Sequence, residues 1–210
     1  MERKSDTSQI PGVGPGDVLA HLARRYSVSP RHLIEPAPGS DELLRAASLA
    51  LRAPDHEALR PYRFVRIDRQ QRAALGELFA SAARQRGSDD AGIERARARA
   101  FRGPALVALL GRVRDGEQGV PAVEQLLCAG AALMNFLNAL HLMGYGAKVL
   151  GGASVHDAVV QQGFCAPGET LLCWIAAGTP AHAAHSRYGD DPAVIFSDWQ
   201  TPVLGDGAPE

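Results

Sequence analysis

From Val123 to Met143 the chain is apolar on nearly every side of a helix and rich in small residues, Ala129, Gly130, Ala131, Ala132 and Ala139 among them. Pro121 marks its start and Gly144-Tyr145-Gly146 its end. A surface helix has one apolar stripe, whereas a helix that is apolar all round must be covered on several sides. One face of one sheet cannot supply that cover, so the pattern predicts a dimer interface as well. Asn135, Asn138 and His141 interrupt the run, which fits a buried helix better than a membrane span.

The remaining pattern predicts what that helix packs against. Gly103-Pro104 opens Ala105 to Leu110, a continuous apolar run suited to a central strand buried on both faces. Tyr62 to Ile67 alternates as a strand, Ala147 to Leu150 is a short one, and Thr170 to Ala177 is the last clear one, stopping at Gly178-Thr179-Pro180. Asp17 is placed to cap a short helix carrying Val18, Leu19, Leu22 and Ala23, and Ser40 to cap the next, with Asp41 and Glu42 in its first turn. Two helices are expected over 68–100, broken at Arg86 to Asp90, the second running Ile93 to Arg102, and a further short helix over Val155 to Gln162. The layout is α+β: a sheet of four or five strands with helices against it. At 210 residues it makes one domain, expected over 17–200, with a disordered tail at 1–16 and a short one at 201–210. Gly12, Gly14 and Gly16 form no dinucleotide loop, because no strand precedes them and Pro15 intervenes.

Composition excludes several classes of function. A net charge of −1 supplies no long-range field to draw nucleic acid or an anionic membrane onto the surface. The Arg-rich stretch Ile93 to Arg102 has only Phe101 to offer for stacking and reads as a solvated face. The 3 cysteines, Cys128, Cys165 and Cys173, show no Cys-x-x-Cys spacing, so neither a disulfide framework nor a zinc site is expected. His182 and His185 lack a third ligand nearby, so no metal is expected there. With no apolar block after Met1-Glu2-Arg3-Lys4, the chain reads as soluble and cytoplasmic.

Two places look shaped for a ligand. Between Pro54 and Pro61, Asp55 and His56 are held at the end of a helix and the start of a strand, since each proline fixes its own φ and disfavours helix just before it. At Arg24-Arg25-Tyr26-Ser27 a helix gives way to loop, and guanidinium forks beside a hydroxyl suit a phosphate; a merely solvated helix C-terminus is the alternative. Gly151-Gly152 permits a positive φ or a close ligand.

Several stretches, in order, resemble the flavin-dependent nitroreductases, in particular their short YdjA-like branch. They are Arg25-x-Ser27-Val28-Ser29-Pro30 leading to Glu35-Pro36-Ala37-Pro38; Arg52-Ala53-Pro54-Asp55-His56 with Arg60-Pro61-Tyr62-Arg63-Phe64; Phe101-Arg102-Gly103-Pro104; Glu124-Gln125; Gly144-Tyr145-Gly146; and Gly178-Thr179-Pro180. The resemblance implies a nitroreductase-like fold, its small, mostly antiparallel central sheet flanked by helices, in an intertwined homodimer with one FMN in each of two interface sites. It implies ping-pong chemistry, with hydride passing from NAD(P)H through FMN to a nitroaromatic, a quinone or a similar acceptor; the flavin is the reacting group and no catalytic side chain is expected. By position, Arg25 and Ser27 would bind the FMN phosphate, with Tyr26 between them. Arg52 and His56 would contact the flavin, Val149, Leu150 and Gly151 would pass beside its ring, and Arg187 is a further phosphate candidate. Ala139 to Gly144 corresponds to a stretch associated with the nicotinamide nucleotide.

This chain departs from the pattern twice. Tyr26 stands where relatives carry a second Arg, and losing one charged hydrogen bond weakens FMN on the order of tenfold to a hundredfold. Val149, Leu150 and Gly151 replace Trp, a cation and a hydroxyl residue, and a missing cation lowers the flavin potential or weakens its binding. The alternative function is a nitroreductase-fold dimer with weakened or lost flavin binding that acts as a binding or regulatory protein.

Overall fold

The computed structural model describes residues 15–152, 154–182 and 191–199. Its main elements, in chain order, are α1 (Pro15–Ala23), β1 (Leu33–Ile34), α2 (Ser40–Ala50), β2 (Tyr62–Arg66), α3 (Arg72–Gln85), α4 (Asp90–Arg97), β3 (Ala105–Gly111), α5 (Ala122–Leu142), β4 (Gly146–Leu150), α6 (Ala158–Phe164) and β5 (Thr170–Pro180).

The last strand is the hub of the sheet. β5 pairs antiparallel with β3, from Ala105↔Ala177 to Gly111↔Thr170. The same β5 residues pair with β4, from Gly146↔Gly178 to Leu150↔Trp174, so β3 and β4 lie on its two edges. Beyond Ala177, β5 pairs with β1 through Ile34↔Thr179 and Leu33↔Pro180, and β2 adds to β3 from Tyr62↔Gly111 to Arg66↔Val107. Every ladder between named strands is antiparallel.

All of β3 is buried, and its alternate residues face two helical layers. Val107 and Leu109 join Leu43, Ala46, Ala132, Phe136 and Leu140 of α2 and α5, where Phe136 stacks on Phe64 with ring centroids 4.4 Å apart. Leu106, Ala108 and Leu110 join Leu75, Phe79, Ala96 and Val160 of α3, α4 and α6, and there Phe79 and Phe164 meet Trp174 edge-on. The sheet is therefore the middle of three layers, as an apolar run of period one requires.

α5 is long and apolar enough to cross a bilayer, by length and composition alone, with 44% of its most apolar window buried. It is built into the fold at its start by Gln125, a buried amide that accepts from the Arg114 N–H (3.0 Å) and donates to the Arg114 and Val120 carbonyls (2.6 and 3.1 Å). Its other side is uncovered: Val123, Leu126, Leu127 and Met134 are exposed, as are Leu44 and Leu51 on and just beyond the neighbouring α2.

Several local expectations need correcting. α1 begins at Pro15, so Asp17 lies in its first turn rather than capping it, and the helix takes in residues 15 and 16, which were expected in the tail. Gly39, not Ser40, caps α2: its N–H donates to the Glu42 carboxylate (3.0 Å), while Ser40 Oγ accepts from Arg66 (2.6 Å). α4 stops at Arg97 and tightens into a 3-10 turn over Ala98–Phe101, and α6 starts only after Asp157, which caps it. β5 runs on to Pro180 because β1, absent from the sequence expectation, pairs with its end. Residues 1–14 and 201–210, which include most of the expected tails, lie outside the described residues.

Candidate functional site

The proline-bounded turn is fastened at both ends. Tyr62 Oη donates to the Ala50 carbonyl (2.9 Å), a buried bond joining the start of β2 to the end of α2. Asp55 accepts from the Arg60 N–H (2.9 Å) and closes the loop between them. Within it Glu57, Ala58 and Arg60 take positive φ (57°, 52° and 48°), a region that costs a side chain energy and persists where the surroundings impose it. The turn holds His56 at the surface, with Nδ1 2.9 Å from Glu124 Oε2 at the start of α5 and Nε2 3.8 Å from Glu57. The hydrogen bond to Glu124 raises the His56 pKa above its ordinary value. Arg52 is exposed and has no side-chain partner among the described residues.

The second group of expected residues follows α1. Ser27 forms a parallel bridge with Ala147, and the Val28 N–H donates to the Ala147 carbonyl (3.1 Å), so Arg25 to Val28 runs alongside β4. The side chains of Arg25 and Ser27 have no partner among the described residues, whereas Tyr26 Oη donates to the His182 carbonyl (3.3 Å). Val149 packs toward α5 and Leu150 toward the opposite layer. Beyond them, nothing among the described residues lies within 4 Å of where a Cβ would stand on Gly151 or Gly152. Two open clefts adjoin this edge. One of about 420 Å³ is lined by His21, Tyr26, His141, Tyr145 and His182, and one of about 530 Å³ by Ser29, Arg31, Arg102, Lys148 and Leu150.

The structure thus brings Arg25, Tyr26, Ser27, Val149, Leu150 and Gly151 together but leaves Arg52 and His56 apart from them. His56 meets α5 at Glu124, while α1 meets it at His141, whose Nε2 donates to the His21 carbonyl (2.9 Å). Seventeen residues of helix separate those contacts, about 26 Å at the α-helical rise. Arg187 and His185 lie outside the described residues. Among the described residues no group of three or more His, Cys, Asp or Glu is placed to hold a metal. Sequence reasoning passed over Lys148, which shares a face of β4 with Leu150 and lines the same cleft; strand alternation alone would have signalled it. It also missed Glu124 as the partner of His56, a contact that only the packing of α5 creates.

Comparison with known proteins identifies the family and the fold. The family model described as "Nitroreductase family" matches residues 22–179. YdjA of Escherichia coli (strain K12), which bears an NAD(P)H nitroreductase name, is 32% identical over 165 residues, covering 78% of this chain and 88% of that protein. A protein of Haemophilus influenzae with a similar name is 27% identical over 164 residues, with the same coverage, 78% and 88%. Among solved structures, a nitroreductase-like family protein from Bacillus cereus superposes with a TM-score of 0.73 at 16% identity, covering 88% of this chain and 96% of that one. A Desulfovibrio desulfuricans protein solved in complex with FMN gives 0.65 at 21% identity, covering 90% and 99%. With an antiparallel sheet between two helical layers and a match spanning most of its length, the chain belongs to the nitroreductase family.

Proposed function

We propose that the chain is an FMN-dependent oxidoreductase acting as a cytoplasmic homodimer, taking hydride from NAD(P)H and passing it to a small acceptor such as a nitroaromatic or a quinone. The observation that carries this reading is the division of the expected site between the two ends of α5, with an uncovered apolar face between them. A second copy laid antiparallel across Val123, Leu127 and Met134 would cover that face and set Arg52 and His56 of one chain against Arg25 and Ser27 of the other. The exposed Val194, Ile195, Phe196 and Trp199 near the C-terminus would gain cover in the same way.

The residues fit the group. Among the described residues Arg25 and Ser27 are unpaired donors suited to a phosphate, and the space at Gly151 and Gly152 admits a flat ring. Glu124 holds His56 toward its charged form, which gives Nε2 a proton to donate to a polar ring edge. Lys148 returns a cation to the face of β4 from which Leu150 has removed one. Bound FMN would supply the hydride chemistry; the side chains hold and orient it. The competing reading, a dimer of this fold that has given up flavin, is favoured by Tyr26, whose hydroxyl is engaged with the His182 carbonyl instead of reaching for a phosphate.

Mixing two inactive variants tests the proposal. Arg25→Ala and His56→Ala should each weaken FMN binding at least tenfold as homodimers. After joint refolding, the mixed dimer should regain one intact site and retain FMN, read by absorbance across a sedimentation boundary. Native protein that takes up no added FMN would leave only the flavin-free reading. FMN bound by a monomer would refute the shared site.

A further inference from the structure

The ends of α3 and α4 and the turn Ala98–Phe101 enclose a cleft of about 450 Å³ lined by Arg86, Arg95, Arg99, Arg102, Ser88 and Gly92. Arg86 is bonded to Asp157, and Arg95 lies 3.8 Å from Asp89, with both of those side chains exposed. Arg99 and Arg102 have no carboxylate partner among the described residues. Helix C-termini attract cations, which accounts for Arg86 and Arg95. Arg99 also stands in a last turn, that of Ala98–Phe101, but it is part-buried, and burial first, then Arg102 and Arg86, press its guanidinium toward neutrality. Like charges gathered in one cleft cost stability unless an anion joins them. The cleft of about 530 Å³ shares Arg102 and adds Arg31, Lys148 and the exposed ring of Phe101, and neither cleft is lined by Asp or Glu.

We propose that these two clefts, which share Arg102, together bind an organic phosphate of the nucleotide kind, with its phosphate between Arg99 and Arg102 and its base against Phe101. A carboxylate has one charge and two oxygens, enough for one guanidinium fork. A phosphate monoester carries nearly two charges and three terminal oxygens, enough for two forks and the free Ser88 hydroxyl. The volume points to an organic phosphate rather than the free ion, since about 300–1,000 Å³ is the usual range for small-molecule pockets. An exposed aromatic ring among cations is what a stacked base requires. The phosphate end, between Arg99 and Arg102, uses none of the residues offered to FMN, but the base end shares the cleft lined by Lys148 and Leu150, so binding is measured with FMN present and absent and flavin content is followed in each variant.

Titration calorimetry of the native chain, with and without FMN, tests it with four probes: inorganic phosphate, adenosine, 5′-AMP and 2′,5′-ADP. The phosphate-bearing nucleotides should bind, 5′-AMP more tightly than inorganic phosphate, and adenosine should not. Arg99→Gln and Arg102→Gln should each weaken 5′-AMP about tenfold to a hundredfold while flavin content stays unchanged. Phe101→Ala should weaken 5′-AMP and leave inorganic phosphate alone. Arg102 is exposed, so its variant keeps the test decisive if Arg99→Gln fails to fold. Equal affinity for adenosine and 5′-AMP, or an unchanged 5′-AMP constant in Arg102→Gln, would overturn the proposal. So would tight binding of a single-stranded oligonucleotide with none of 5′-AMP, which would make this a nucleic-acid surface. A loss of flavin in Arg99→Gln would assign the cleft to the flavin site and overturn it as well.

Discussion

Replacing Glu169 with Gln should loosen one end of the sheet in a pH-dependent way. Glu169 precedes β5, with its side chain only 3% exposed. It accepts from Arg63 of β2 through both carboxylate oxygens (2.6 and 2.7 Å), from Arg112 just past β3 (2.7 Å), and from the Ala166 N–H (3.1 Å). One carboxylate thus joins three strands at the end where the His56 turn sits. The Arg63 hydrogen bonds, foremost, hold its pKa down at about 2, against an ordinary value of 4.5. Linkage converts that gap into about 3 kcal/mol of stability at neutral pH. Arg63 and Arg112 are 37% and 49% exposed, and solvent screening reduces the figure to about 1.5 kcal/mol. A depressed folded pKa means the contribution is complete above the unfolded value and fades as pH falls from about 4.5 toward 2. Urea midpoints at pH 7 should therefore separate wild type from Glu169→Gln by about 1–2 kcal/mol, and by less than half of that at pH 3. A gap of the same size at both pH values would mean that the loss is one of shape rather than charge. No gap at pH 7 would refute the reasoning outright.

Other outcomes follow from the same geometry. Glu124→Gln should lower the His56 pKa, read from its ring resonances by NMR, because the Glu124 hydrogen bond is the main cause of its elevation; an unmoved titration curve would break that link. As a raised histidine, His56 contributes to stability below its ordinary value of 6.5, and the contribution disappears as pH climbs through the folded value. Phe136→Ala removes a ring that is 1% exposed and stacked on Phe64, and should cost about 3–5 kcal/mol in urea unfolding; a cost under about 1 kcal/mol would place that ring outside the core. Burial raises all three thiols, Cys128 to about 11 and Cys173 to about 12, but Cys165 alone is only half-buried, so at pH 8 it should react first with a disulfide reagent, though slowly, and all three should react once urea is added. Rapid native labelling at Cys128 or Cys173 would contradict that burial.

Features repeated along many residues were legible in the sequence. The unbroken apolar run from Ala105 foretold a strand covered on both faces, and the small-residue run from Val123 foretold a helix too apolar for one partner. Features decided by distant contacts were not. β1 has two residues, too few for any period, and exists because Thr179 and Pro180 lie beside it. Ser40 has the chemistry of a cap, but Arg66 claims its hydroxyl. At the candidate site, the residue types could be read from local motifs, but their division between the ends of α5 could not. That division depends on which helices touch Glu124 and His141. Glu169 sits in an unremarked turn and becomes a junction only when β2 and β3 deliver their arginines.

The place of β5 in the sheet also has a consequence in time. It is the last in chain order of the strands among the described residues, yet β1, β3 and β4 all pair with it. Until residues 170–177 have emerged, β3 can form only its ladder with β2, and its opposite edge, seven apolar or glycine positions long, stays open. Pairings of such long sequence separation form slowly, because the chain must close large loops before any contact rewards it. The nascent protein therefore passes a period in which its most apolar strand offers an open edge to any other chain. For a protein made at high level, crowding among unfinished chains would limit the yield more than the stability of the finished fold.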